Sequence, residues 1–307
     1  MFKKVLVCTD LSQASNALVS CAGDLKSLGV EEVVLANIRP IIALPKPGVN
    51  AADKSFVEKN PTLMEQLLVF QGAGIKAITV STTGIPARKI NQLAEKHQVS
   101  AIVIGSHGKG IYEKAALGSI SSEVISLSKK PVFLVRLNTD EDGNKVELAC
   151  KSSFNHVLYL TDFSETAEKA LKYLESIVEK TKCPVTIVHI NEFDRFKRYI
   201  LESTREISYE MLDGIETSWN VETKAKLDGI KARLEKAGSH NVQIKIPTGR
   251  PIEIILDMIQ NNKEYSLVVM GSQGKGFVKE LFLGSLSLQV SRYSPIPVLL
   301  IPAKYNE

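Results

Sequence analysis

The chain repeats itself, and a repeat of domain length constrains the fold more than any other feature of the sequence. Phe2-Lys3-Lys4-Val5-Leu6-Val7-Cys8-Thr9-Asp10-Leu11-Ser12 aligns with Phe154-Asn155-His156-Val157-Leu158-Tyr159-Leu160-Thr161-Asp162-Phe163-Ser164 at an offset of 152 residues. Gly105-Ser106-His107-Gly108-Lys109-Gly110 aligns with Gly271-Ser272-Gln273-Gly274-Lys275-Gly276 at an offset of 166. Leu117-Gly118-Ser119-Ile120-Ser121 and Leu283-Gly284-Ser285-Leu286-Ser287 share that second offset, so the second copy carries 14 extra residues in its middle. The expected organisation is a first domain over residues 1–137, a polar linker over 138–153 and a second domain over 154–307. Each copy is long enough to bury a core without disulfide or metal staples.

Within each copy, short apolar runs alternate with amphipathic stretches. The runs fall at residues 5–8, 33–38, 77–80, 101–104 and 132–135, then at 157–160, 185–190, 242–246, 267–270 and 298–301. They are nearly continuous in apolar character, as strands covered on both faces must be. Between them, residues 12–28, 86–97, 164–179 and 251–260 read as helices, with Pro86 and Pro251 suited to a first helical position. The expected fold is α/β, with two Rossmann-like doubly wound domains, each on a five-stranded parallel sheet. The last run of each copy is apolar and would lie at a sheet edge, which favours pairing of the two edges about a pseudo-twofold axis.

Two segments depart from this rhythm. Asp140, Asp142 and Gly143 invite an EF-hand reading from Asn138, but Ala149 stands where a bidentate Glu is required. A solvated turn accounts for them better. Residues 191–240 form a charged helical insertion, with Phe193, Phe196, Ile200 and Ile207, and then Leu227, Ile230 and Leu234, at helical spacing.

Bulk charge excludes little but points away from some partners. Thirty-eight basic against 34 acidic residues leave a net charge of +4, too balanced to argue for nucleic acid or an anionic membrane. No apolar run is long enough to span a bilayer, and four cysteines without a CxxC spacing read as free thiols in a reducing cytoplasm.

The strongest chemical signal follows the fourth strand. Gly-x-x-Gly, nine residues, then Gly-Ser occurs as Gly105, Gly108, Gly118 and Ser119, and again as Gly271, Gly274, Gly284 and Ser285. Glycines at a strand's carboxyl end let the backbone turn and approach a ligand, and the helix that follows presents free N–H groups to an anion. Ser119 and Ser285 are candidate caps and phosphate donors, with Ile120, Ser121, Leu286 and Ser287 in the same turn and Lys109 and Lys275 adding charge. Turn glycines and capping serines alone would also explain one such loop; two with identical spacing favour phosphate. Asp10 and Asp162 end the first strands, at the position where open α/β sheets bind ligands, or else cap the next helix.

These motifs resemble the universal stress protein family, here as a tandem pair, over nearly all of both copies. The resemblance implies a stress-response protein that binds ATP or AMP in one or both domains, with Mg²⁺ or Mn²⁺ on the phosphates as a further expectation. It implies that Asp10 and Asp162 contact the nucleoside and that Ile38 and Ile190 contact adenine. The glycine loops, including His107 and Gln273, would surround ribose and phosphates. Cys8 and Leu160 stand where the family often has Pro or Val, and the bulk of Leu160 narrows the second copy. Further expectations are an intramolecular pseudo-dimer, with association into a further homodimer left open, and no catalytic residues. His107 is the one candidate base for a slow ATPase, and Gln273 replaces it in the second copy. An adaptor whose partner binds the insertion at 191–240 is the other alternative.

Overall fold

The computed structural model describes residues 1–40, 60–106, 117–139, 146–150, 152–191, 193, 197, 209–274 and 283–303. The first copy runs β1 (Lys4–Thr9), α1 (Gln13–Val19), α2 (Ala22–Ser27), β2 (Glu32–Pro40), α3 (Pro61–Gly72), β3 (Lys76–Gly84), α4 (Pro86–Lys96), β4 (Ala101–Gly105), α5 (Ser119–Leu127) and β5 (Val132–Val135). A hairpin of β6 (Leu137–Thr139) and β7 (Val146–Leu148) follows. The second copy runs β8 (Val157–Leu160), α6 (Glu165–Thr181), β9 (Val185–Val188), α7 (Tyr209–Ala237), β10 (Val242–Lys245), α8 (Pro251–Asn261), β11 (Leu267–Gly271), α9 (Ser285–Tyr293) and β12 (Val298–Ile301).

The ten strands of the two copies form one sheet in the order β10-β9-β8-β11-β12-β5-β4-β1-β2-β3. Every neighbouring pair is parallel except the central one, where β12 meets β5 antiparallel with Leu299 opposite Phe133. The apolar last strands thus cover each other's edges, as their character predicts. Alternate residues of each strand feed two cores on opposite faces: Val5, Val7, Val157 and Tyr159 enter one, Leu6, Cys8, Leu158 and Leu160 the other. Both cores run through both copies. Burial on two faces is why no polar alternation marks these strands.

Two local features differ from the sequence expectation, and a third was not addressed by it. Residues 12–28 do not form one helix: the Ser20 N–H and hydroxyl both donate to the Ala17 carbonyl, at 3.2 and 2.6 Å, tightening the turn before α2 resumes. The polar segment after β5 contains the β6–β7 hairpin, which lies against α1, with Leu137 buried and half-buried Leu148 packed on the core. Residues 61–72 are helical, with the Asn60 side chain capping the Leu63 N–H at 3.0 Å and Pro61 in the first turn.

The insertion delivers the long helix α7. Its second half buries Leu227, Ile230 and Leu234, and Arg233 bonds Glu168 and Glu175 of α6 at 2.7 Å each. Its first half leaves Met211, Ile215 and Val221 exposed, while Trp219 meets buried Phe193 edge-on. Phe196, Ile200 and Ile207 lie outside the described residues.

Candidate functional site

The strand order reverses between β1 and β4 and again between β8 and β11, so each copy has a crevice at the carboxyl ends of those strands. The two crevices are built alike. In the first, Asp10 Oδ1 accepts from the backbone N–H of Ser12 at 3.1 Å and from the hydroxyls of Ser12 and Ser15. In the second, Asp162 Oδ1 accepts from the Ser164 N–H at 3.0 Å. The capping residues of α1 and α6 are Ser12 and Ser164. The aspartates therefore orient the cap from outside the helix and are not caps themselves.

The residue after each aspartate is held in left-handed backbone, with φ of 62° at Leu11 and 59° at Phe163. Such a conformation costs a non-glycine residue roughly 1–2 kcal/mol. In both copies a threonine offsets it: Thr9 Oγ1 accepts from the Leu11 N–H and Thr161 Oγ1 from the Phe163 N–H, each at 3.1 Å. Asn37 and His189, at the ends of the neighbouring strands, each bond the carbonyl of that threonine, at 3.0 and 2.9 Å. For His189 a carbonyl acceptor requires Nδ1 to carry the proton. Sequence reasoning missed Thr9, Thr161 and the strained turn, although the shared Thr-Asp-x-Ser pattern was their signal.

The described glycines of the loops do not need left-handed backbone; what they provide is space. A Cβ on Gly271 would sit 2.9 Å from Thr166 backbone carbon, so this glycine admits the first turn of α6 rather than a ligand. A Cβ on Gly274 would lie 2.6 Å from Asp162 Oδ2, and one on Gly284 would lie 3.3 Å from the Ser272 carbonyl oxygen. Thr166 Oγ1 donates to the Gln273 carbonyl at 2.5 Å and Tyr159 donates to the Ala167 carbonyl at 2.7 Å, so α6 and the loop are tied together. Burial pushes the Tyr159 hydroxyl and the Cys8 thiol well above their ordinary pKa values, which keeps both protonated and unreactive.

The caps of α5 and α9 differ from expectation. Gly118 and Gly284 occupy the capping positions, with N–H groups donating to the Ser106 and Ser272 carbonyls at 2.8 and 2.7 Å. Ser119 and Ser285 are instead the first helical residues, and both are exposed. Ser121 and Ser287 are buried, and their hydroxyls donate to the carbonyls of Gly105 and Gly271 at 2.7 and 3.1 Å, pinning helix to strand. Ile38 is buried at the end of β2; Ile190 and Leu286 are half-buried, and Ile120 is exposed. His107, Gly108, Lys109 and Lys275 lie outside the described residues.

In the second copy, Asp162, Gly271, Gln273, Gly274, Gly284 and Ser285 converge where β8 and β11 end. An open bowl of about 400 Å³ lies beside them, between Phe163–Thr166 and Gln273–Gly274. No group of three His, Cys, Asp or Glu side chains that would hold a metal ion stands together among the described residues. No helix among them is long and apolar enough to cross a membrane.

Comparison with known proteins agrees with this architecture. A 158-residue stretch is 33% identical to universal stress protein MJ0577 of Methanocaldococcus jannaschii, covering 49% of this chain and 96% of that protein. Another of 150 residues is 29% identical to universal stress protein YxiE of Bacillus subtilis, covering 48% of this chain and 99% of that one. A crystal structure of a universal stress protein from Archaeoglobus fulgidus superimposes over 98% of both chains with a TM-score of 0.66 at 27% identity. Residues 1–136 and 153–302 each match the universal stress protein family, and the chain accordingly belongs to that family twice over.

Proposed function

We propose that this protein binds an adenine nucleotide, ATP or AMP, in one or both crevices and serves as a cytoplasmic stress-response protein. The domain division proposed is a first unit to residue 137 and a second from residue 154, joined through the hairpin segment. The observation that carries the nucleotide reading is the repetition of one unusual construction at both switch points. In each copy an aspartate precedes a left-handed residue, and a glycine-capped helix presents an exposed serine and its free amides to the same mouth. A carboxylate beside a glycine cradle suits ribose hydroxyls on one side and phosphate oxygens on the other.

The cradle fits such a ligand by its emptiness: alanine at Gly274 would collide with Asp162, so the space over the loop is kept clear. Asp10 and Asp162 would accept from the sugar, Ile38 and Ile190 would flank the base, and Ser119 and Ser285 would donate to phosphate. Mg²⁺ or Mn²⁺ would then arrive on the phosphates rather than in a site built by the protein. These groups hold ground state and transition state alike, so they favour binding over turnover. Hydrolysis is expected to be slow and confined to the first copy, through His107.

The decisive experiment is to extract the purified protein with acid, identify any released nucleotide, and titrate the stripped protein with ATP, AMP and adenosine. Release or submillimolar binding of an adenine nucleotide supports the assignment. Absence of both in folded protein would refute it.

A further inference from the structure

Helix α3 buries three side chains, Leu63, Gln66 and Phe70, and the middle one is polar. Gln66 is 2% exposed, at a position where leucine would pack without penalty, whereas a primary amide leaves water favourably only if both of its ends are bonded. Its Oε1 accepts from the Thr9 hydroxyl at 2.7 Å, and its Nε2 donates to Asn16 Oδ1 on α1 at 2.6 Å. Those two partners flank Asp10 in the chain. One side chain from α3 thus clamps the end of β1 to the start of α1.

The clamp acts where the turn is strained. A threonine hydroxyl has a single proton to donate, and donating it to Gln66 leaves a lone pair for the Leu11 N–H, which Thr9 Oγ1 accepts at 3.1 Å. That bond offsets the left-handed backbone of Leu11. Asp10 lies between the two and is held by Ser15: its N–H donates to Ser15 Oγ at 2.9 Å, and its Oδ1 accepts from the same hydroxyl. The second copy meets the same need from its own strand. Tyr159 stands there in place of Val7, and its buried hydroxyl takes a hydrogen bond from the Thr161 side chain. Two different residues serve the threonine hydroxyl at two equivalent turns, which ties the arrangement to the turn rather than to the packing of α3.

We propose that Gln66 is a positioning residue for Asp10: by fixing the Thr9 hydroxyl it sets the angle at which the carboxylate meets the sugar, and with it the preference of the first crevice for ribose hydroxyls. Resting on the nucleotide reading above, this assigns sugar selectivity to a side chain buried behind the site.

The test uses the full chain, with Gly284→Val to leave the first crevice for titration and Gly118→Val to leave the second. The probes are ATP, dideoxy-ATP, which lacks both ribose hydroxyls, and inorganic tripolyphosphate. At the first crevice Gln66→Met, which keeps the length of the side chain and removes the amide, should weaken ATP about tenfold and the other two probes less than about twofold. The preference for ATP over dideoxy-ATP then collapses. Gln66→Glu keeps an oxygen for Thr9, and the Asn16 amide can turn to donate to it. Its preference should persist, because the added charge acts equally on two triphosphates. Thr9→Val should lose the preference as well, and adding Gln66→Met to it should change nothing further. At the second crevice no Gln66 variant should alter any affinity. Gln66→Leu is a second apolar replacement should Gln66→Met melt below the assay temperature. Equal losses of ATP and dideoxy-ATP, additive losses in the double variant, or the same loss at the second crevice would each overturn the proposal. A preference indifferent to Gln66 would overturn it and leave the nucleotide reading standing. A folded parent that binds none of the probes would remove the nucleotide reading, and this proposal with it.

Discussion

Alanine at Gly271 is the sharpest probe of how the second crevice is assembled. The substitution is conformationally permissible, since this glycine does not need left-handed backbone, so its effect is steric alone. The new Cβ would lie 2.9 Å from both the carbonyl carbon and the Cβ of Thr166 and 3.1 Å from the Ala167 nitrogen. Relief requires the first turn of α6 to retreat by about half an ångström. That turn is held by the Ser164 cap, by Thr166 on the Gln273 carbonyl and by Tyr159 on the Ala167 carbonyl. Overpacking of this kind costs about 1–3 kcal/mol. Gly284→Ala should cost under about 0.5 kcal/mol, because its nearest contact is 3.3 Å and lies at the open mouth. Gly274→Ala meets only the tip of Asp162, which can rotate away; stability should change by about 1 kcal/mol or less, while nucleotide affinity falls with the displaced carboxylate. Urea unfolding followed by tryptophan fluorescence reads the second copy selectively, because the chain's single tryptophan is Trp219 of α7. If Gly271→Ala unfolds within about 0.5 kcal/mol of its parent, the usual scatter of surface substitutions, or if Gly284→Ala is equally damaging, the packing of α6 against Gly271 is not what the substitution tests.

Three further outcomes follow from the same geometry. Gly118→Val and Gly284→Val should each remove about half of the bound nucleotide with the fold intact by circular dichroism, and full occupancy in the double variant would contradict the assignment of the crevices. His156 is buried against Thr186 and Tyr265, and burial, with Lys245 adding to it, lowers its pKa below 6.5 despite the opposing pull of Glu264. The unfolded chain therefore takes up the proton first: the contribution of neutral His156 is complete above pH 6.5 and is lost as pH falls through its folded value. Thermal melts from pH 7.5 to 5 should show a decline that His156→Gln reduces, and parallel curves for the two proteins would dismiss it. Residues 1–137 expressed alone should dimerise through β5, whose Val132, Phe133 and Leu134 are otherwise bare, as sedimentation would show; a monomer at high concentration would count against it.

The strands were legible because burial on both faces leaves an unbroken apolar run, a signal carried by each strand by itself. The pairing of β5 with β12 was legible for the same reason, since an apolar edge needs a cover. The break after Val19 was not, because it depends on a single serine hydroxyl competing for one carbonyl. The β6–β7 hairpin was hidden by its polarity; only its docking on α1 makes it a structure. Helix α3 carried a local signal in Asn60-Pro61, a capping residue followed by a first-turn proline. Within the crevices, glycine spacing located the turns at the strand ends but assigned the helix caps to Ser119 and Ser285, one position beyond the capping glycines. Spacing shows where a chain turns, whereas the roles of Gly271 and Thr166 depend on a helix from more than a hundred residues away.

The antiparallel seam between β5 and β12 has a geometric consequence. Because the two half-sheets run in opposite directions, their carboxyl ends point to opposite rims of the molecule. A macromolecule docking on one rim would therefore meet the mouth of one crevice and not that of the other. Joining the copies in one chain also frees residues near the axis from appearing in pairs. In a symmetric dimer a buried arginine beside the seam would be present twice, on both rims, whereas here the seam carries Arg136 on one side and Pro302 on the other.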